Sequence, residues 1–179
     1  MESAKPEMTI EQEAELNNSY WDEWVVDFQY YSTDADHVYP KEMSVLSLNS
    51  DEPGQSFFAK SPAGVDRRDE KVDSALNYQF RLHKTPWCYG DVEDWKSKLE
   101  SLIDRKNAKI YVKGAAKQKF LMENGFGAVN MDDSGCPALK DLYKAFKCNV
   151  EKCTFHKETS GLCSFTNVYI LRKWLKCDT

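Results

Sequence analysis

Apolar residues run almost unbroken through Trp24-Val25-Val26-Asp27-Phe28-Gln29-Tyr30-Tyr31, the pattern of a strand buried on both faces. Polar residues 32–36 predict a turn, residues 42–48 a second strand, and residues 55–60 a short third strand beyond the turn signal at 49–54. Three strands joined by short turns imply an antiparallel meander. A charged loop follows over 61–70. Apolar positions Leu76, Phe80 and Leu82 then predict a helix over 73–83. Pro86 and Gly90 forbid one regular element over 83–90. Val92, Trp95, Leu99, Leu102 and Ile103 recur at helical spacing, which predicts a helix from Asp91 to Arg105. Beyond it lie a strand at 108–112, a helix at 115–123 with Phe120 and Leu121 inward, and a strand at 128–131. Pro137 opens a helix over 138–146, because proline suits a first turn. A cysteine-rich loop occupies 147–161. The last helix, 164–175, turns Phe165, Val168, Leu171, Trp174 and Leu175 inward. Residues 1–18 are polar and acidic without an apolar stripe, and read as a flexible leader to a single domain over 19–177.

The predicted order is β-β-β, helix, helix, β, helix, β, helix, loop, helix. A meander continuing into αβ units predicts an α/β protein with a mixed sheet flanked by helices. That order is the skeleton of the ribonuclease H-like fold.

The chain has 179 residues, enough for one domain with a sizeable core. Hydrophobic residues make up 41% and aromatics 13%, which excludes a mainly disordered chain. Its 24 basic against 29 acidic residues leave a net charge of −5, so any nucleic-acid surface must be local. No stretch approaches the ~20 apolar residues of a membrane span, and acids stand at the start where a signal peptide needs a basic segment. The reading is a cytoplasmic protein, with nuclear or perinuclear granules as further places. In such a chain the six cysteines are free thiols or metal ligands before they are disulfides.

The strongest chemical signal is Cys153-Thr154-Phe155-His156, followed after six intervening residues by Cys163. A C-x2-H pair grips a metal from a tight turn, and a third ligand, the thiolate beyond a short loop, closes one face. Zn²⁺ takes four tetrahedral ligands, so a fourth must come from elsewhere; Cys148 is the local candidate. Alternatively these are free thiols and a surface histidine. Cys88, Cys136 and Cys177 read as non-ligands, with Cys136 packed at a helix start.

Three segments carry a family resemblance. Val26-Asp27-Phe28-Gln29 resembles the first strand of the DEDDh exonucleases, whose motif there is Asp-x-Glu. Residues 110–121, Ile-Tyr-Val-Lys-Gly-Ala-Ala-Lys-Gln-Lys-Phe-Leu, are similar to their strand and helix running from His-Asn to Asp-x-x-Phe-Leu. Cys163-Ser164-Phe165-Thr166-Asn167-Val168 resembles the start of their last helix. The chain is more similar still to the MAEL domain of Maelstrom proteins of the piRNA pathway, which lacks the exonuclease carboxylates and carries a Glu-Cys-His-Cys zinc site. It also resembles domains encoded by insect mobile elements. The MAEL resemblance implies a structural Zn²⁺ held by Glu42, Cys153, His156 and Cys163, with Glu42 as the fourth ligand in rivalry with Cys148.

Two-metal phosphodiester cleavage needs several carboxylates converging on paired cations. Carried over position by position, the resemblance puts Asp27 at the first acid, Gln29 at the second, Lys117 at the third and Asn167 at the fourth. Three of the four acids are gone and no histidine stands near Cys163 as a base. The ordinary exonuclease mechanism is therefore not expected, and Asp27 reads as a strand-end acid bonded to backbone or to Lys117. Lys113, Lys117 and Lys119 are either a basic rim open to phosphates or an ordinary solvated helix face. His83 reads as structural, and Trp21, Trp24, Tyr30, Tyr31 and Tyr39 as core plus one interface patch before they read as base-stacking residues.

The function implied is a catalytically degenerate, zinc-binding interaction module for single-stranded RNA or for silencing-pathway proteins, in small-RNA silencing or mobile-element biology. The alternatives are a weak single-stranded RNA endonuclease of the MAEL type and a pure protein-binding module. Neither a membrane nor a small-molecule cofactor is expected.

Overall fold

The structure is a computed structural model, described here over residues 9–10, 22–104, 106–146 and 163–177. The predicted leader, apart from residues 9–10, and the 147–161 loop lie outside the described residues, as do Trp21, Cys148, Cys153 and His156.

Five strands form one sheet in the order β3-β2-β1-β4-β5. β1 (Asp22–Asp34), β2 (His37–Ser47) and β3 (Gln55–Phe58) are the antiparallel meander. β4 (Ala108–Val112) runs parallel to β1, and β5 (Ala128–Asn130) parallel to β4. The helices are α1 (Glu70–His83), α2 (Trp95–Leu102), α3 (Ala115–Glu123), α4 (Leu139–Ala145) and α5 (Ser164–Cys177), with a 3-10 turn at Met131–Ser134. No helix among the described residues is long and apolar enough to cross a membrane.

Alternation along β1 divides the interior in two. Val26 and Phe28 join Met43, Val45, Leu99, Ile103 and Leu121 on the face covered by α2 and α3. Val25 joins Leu46, Leu142, Val168, Ile170 and Leu171 on the face covered by α4 and α5. β1 is thus buried on both sides, as its unbroken apolar run predicts. Cys136 is buried in the second of these cores.

The element order follows the expectation, while several boundaries move. The β1–β2 turn shrinks to Ala35-Asp36, and β2 begins at His37 instead of residue 42. Pro40 hid that early start. It is tolerated because it faces Tyr30 where the ladder slips by one residue, a position that asks for no N–H. The helix predicted from Asp91 starts at Trp95, capped by Asp94, whose carboxylate accepts from Lys96 N and Ser97 N. Val92 is instead extended and bridges to Ala59, its N–H donating to Phe58 O. Pro137 lies one residue before the α4 cap, Ala138, not inside the first turn. On α1 only Leu76 of the three predicted apolar positions is buried; Phe80 and Leu82 are exposed.

Candidate functional site

The site forms where β1 outruns its parallel neighbour. β4 pairs with β1 only as far as Val25, so the residues after it extend past the ladder. The chain leaving β4 turns at Gly114 (φ 110°, which favours glycine) and enters α3 at once. Lys117, in the first turn of α3, is thereby brought to Asp27, ninety positions earlier.

Asp27 is 1% exposed, and its carboxylate is held on both oxygens. The Lys117 ammonium lies 2.6 Å from Oδ1, and the Asn167 side-chain amide donates to Oδ2 at 2.9 Å. The Tyr143 hydroxyl donates to Asn167 Oδ1 at 2.6 Å. Burial pushes the Tyr143 phenol well above its ordinary range, with Cys163 and Asp27 adding to the effect. One chain of polar contacts therefore ties α3, β1, α5 and α4 together. Lys117 also lies 5.6 Å from the Phe28 ring centroid. A positive charge thus stands against one oxygen of Asp27 and a neutral amide against the other.

Gln29, half-buried, faces Glu42 across the β1–β2 ladder. It lines an open cleft of about 820 Å³ with Tyr30, Ser32, Gln79, Lys117, Lys119 and Phe120. Lys113 is ion-paired with Asp132 and also donates to Cys136 O at 3.3 Å. Its side chain is 15% exposed and that of Lys117 18%, against 74% for Lys119, which lies 3.8 Å from Glu123. Of the three lysines, Lys119 is the one directed mainly to solvent.

Glu42 is fully buried at the start of α5. Its Oε1 accepts from Ser164 N at 2.6 Å and from Ser164 Oγ at 2.5 Å, so the carboxylate caps the helix and meets the positive end of its dipole. Ser44 and Ser164 share a hydroxyl contact at 2.7 Å beside it. Cys163, buried, directly precedes Ser164, which places a thiol and a carboxylate of the expected metal set at one helix end. Cys153, His156 and the rival Cys148 lie outside the described residues. Among the described residues no three His, Cys, Asp or Glu gather as a metal site.

His83 is buried against Tyr31, edge to face with ring centroids 4.6 Å apart, and its Nδ1 accepts from Thr85 N at 3.3 Å. Tyr31 in turn meets Trp87 edge-on and donates to Thr85 O at 2.5 Å. The Tyr31 phenol is pushed up to about 12 by burial. Two residues with structural weight escaped the sequence reading. Tyr143 sits on a short helix with nothing beside it in sequence to mark it. Lys41 is buried, donating to Ala59 O, Ser61 Oγ and Trp87 O at 2.9, 2.9 and 2.6 Å.

No protein-family model matches the chain, and no curated protein matches it by sequence. Solved structures do. Exonuclease I superposes with a TM-score of 0.61 at 12% identity, over 87% of this chain and 40% of that one. Escherichia coli exonuclease I in complex with a dA16 oligonucleotide gives 0.59 at 12% identity, over 87% and 40%. A moderately thermophilic exonuclease I from Methylocaldum szegediense gives 0.55 at 11% identity, over 84% and 39%. The chain thus spans about two fifths of the length of these exonucleases. The likeness shows the fold: a ribonuclease H-like mixed sheet of the exonuclease type, flanked by helices.

Proposed function

We propose that this domain is a catalytically degenerate nuclease fold that serves as an interaction module for single-stranded RNA or for a protein. The observation that carries the reading is the Asp27–Lys117 pair at 2.6 Å. A lysine ammonium supplies one fixed positive charge and no open coordination position, so it cannot activate a water or bridge a leaving oxygen as paired divalent ions do. Gln29 and Asn167 add no charge to attract such ions. With Lys117 paired to Asp27 and Lys119 beside Glu123, the cleft has little unbalanced positive charge for phosphates, which favours the protein partner of the two.

A structural Zn²⁺ held by Glu42, Cys153, His156 and Cys163 belongs to the same proposal. What supports it is a fully buried carboxylate and a buried thiol at one end of α5, a donor pair that zinc accepts. The ion would staple the 147–161 segment to the sheet and take no part in chemistry. A place in small-RNA silencing or mobile-element biology rests on the family resemblance.

The test is incubation of the purified chain with labelled single-stranded RNA, with Mg²⁺ and with EDTA. The reading expects intact RNA in both. Cleavage that follows the protein through purification and is absent from a Lys117→Met, Asp27→Asn control would overturn it in favour of the endonuclease.

A further inference from the structure

The cleft wraps around a strand edge, and that edge has a chemistry of its own. Residues from both faces of β1 line it: Gln29 from the α5 side, Tyr30 from the α3 side. Only the edge of a strand is reached from both faces at once.

Which backbone groups point into it follows from the ladder. Pro40, opposite Tyr30, has no N–H, so Tyr30 and Pro40 cannot exchange a pair of hydrogen bonds. The N–H and C=O of Tyr30 therefore turn away from β2, toward the side that β4 covers only through Val25. Ser32, two residues on, shows the same orientation directly. Its N–H donates to Gln79 Oε1 at 2.5 Å and its C=O accepts from Gln79 Nε2 at 2.7 Å. The amide side chain of Gln79 thus pairs with β1 as a peptide unit of a neighbouring strand would.

We propose that this edge receives an extended peptide segment of a partner protein, which pairs with Tyr30 and takes over Ser32 from Gln79. The inference rests on the interaction-module reading and names its partner class. An edge that offers a donor and an acceptor side by side matches a peptide backbone, whereas the carbonyl repels a phosphate. Charge points the same way: the Lys117 side of the cleft is balanced by Asp27, Lys119 stands by Glu123, and Asp36 adds a further acid. Leu82, exposed on the opposite wall, and Phe120, part-buried, give apolar seats for alternate side chains of the incoming strand.

The test begins with selection of random nine-residue displayed peptides on the full chain, followed by synthesis of those that bind. Amide hydrogen exchange is then read with each peptide and, separately, with a twelve-nucleotide oligouridylate. The expected result is slowed exchange at Tyr30 N–H with peptide and no change there with oligouridylate. N-methylation of the pairing residue should weaken binding about tenfold, the worth of one lost hydrogen bond. Gln79→Ala should leave Ser32 open and tighten binding a few-fold. Selection of no binding peptide, protection of other amides only, or insensitivity to N-methylation at every position would overturn the inference. Protection of Tyr30 by the oligouridylate would overturn it in favour of a nucleic-acid cleft. None of these outcomes touches the non-catalytic reading, which falls only if RNA is cut.

Discussion

The Lys117 ammonium rests 2.6 Å from Asp27 Oδ1, with the acid 2% and the lysine 18% exposed at the side chain. Attraction between charges so little screened is strong, and so is the cost of removing one of them. Lys117→Met strands a buried carboxylate and should lower stability by about 3 kcal/mol, read as a shift in urea midpoint. Adding Asp27→Asn should recover most of that loss, because Asn167 can still donate to the new amide oxygen. An additive double variant would mean that the pair is not coupled.

Tyr143→Phe removes the donor to Asn167 Oδ1 while keeping the ring. A buried acceptor left unmade should cost about 1–2 kcal/mol. The same variant should leave Asp27 and Lys117 in contact, so its effect should persist when measured on top of Lys117→Met.

Gly90 has φ +131°, and a Cβ built there would lie 2.4 Å from Ala59 O, a backbone atom that cannot move aside cheaply. Gly90→Ala should therefore destabilise by about 2 kcal/mol or more, well beyond the usual effect of a loop substitution. Thermal unfolding of this variant beside Gly64→Ala separates clash from strain. Gly64 also has positive φ but nothing within 4 Å of its Cβ position.

Burial lowers the Lys41 ammonium from its ordinary 10.5 to about 8, partly opposed by the nearby Cys88. Between these values the unfolded chain binds more protons than the folded one, so the contribution of Lys41 to stability rises with pH across that window. Below pH 8 the desolvation penalty is present in full. The stability of the native chain relative to Lys41→Met should increase between pH 8 and pH 10 in denaturant titrations. A flat difference would show that the three oxygen acceptors hold the ammonium charged throughout.

Glu42→Gln weakens the α5 cap by replacing a charged acceptor with a neutral one, at about 1–2 kcal/mol. If zinc is bound as proposed, native protein should also carry about one equivalent of zinc by elemental analysis, and a chelator should lower its melting temperature. Cys153→Ser and His156→Ala should remove the metal. Zinc near zero in native protein would end that proposal while leaving the cap in place.

How much could be read beforehand varied with the local signal. β4 and α3 came out residue for residue because Asn107 and Gly114 punctuate a short alternating strand and an unambiguous helix. The start of α2 did not, since Asp91 and Asp94 are equally good caps. The choice fell to Asp94 once Phe58 O had claimed Val92 N–H from across the chain. Leu82 fits a helix stripe but lines the cleft, because α1 lies beside the extended half of β1 and not over the closed sheet.

Sequence alone determined the order of elements and the two-sided burial of β1. It offered Lys117 as one of two partners for Asp27 but did not separate the roles of the lysines. Lys41, Lys113, Lys117 and Lys119 are one residue type. Tertiary structure made one a buried staple, two of them partners of distant acids, and one a solvent-facing charge. The reason is physical: a charge takes its role from the dielectric and the counter-charge around it. For Lys117 both are set by a carboxylate ninety positions away, which it meets because β4 runs parallel to β1 and leads straight into α3.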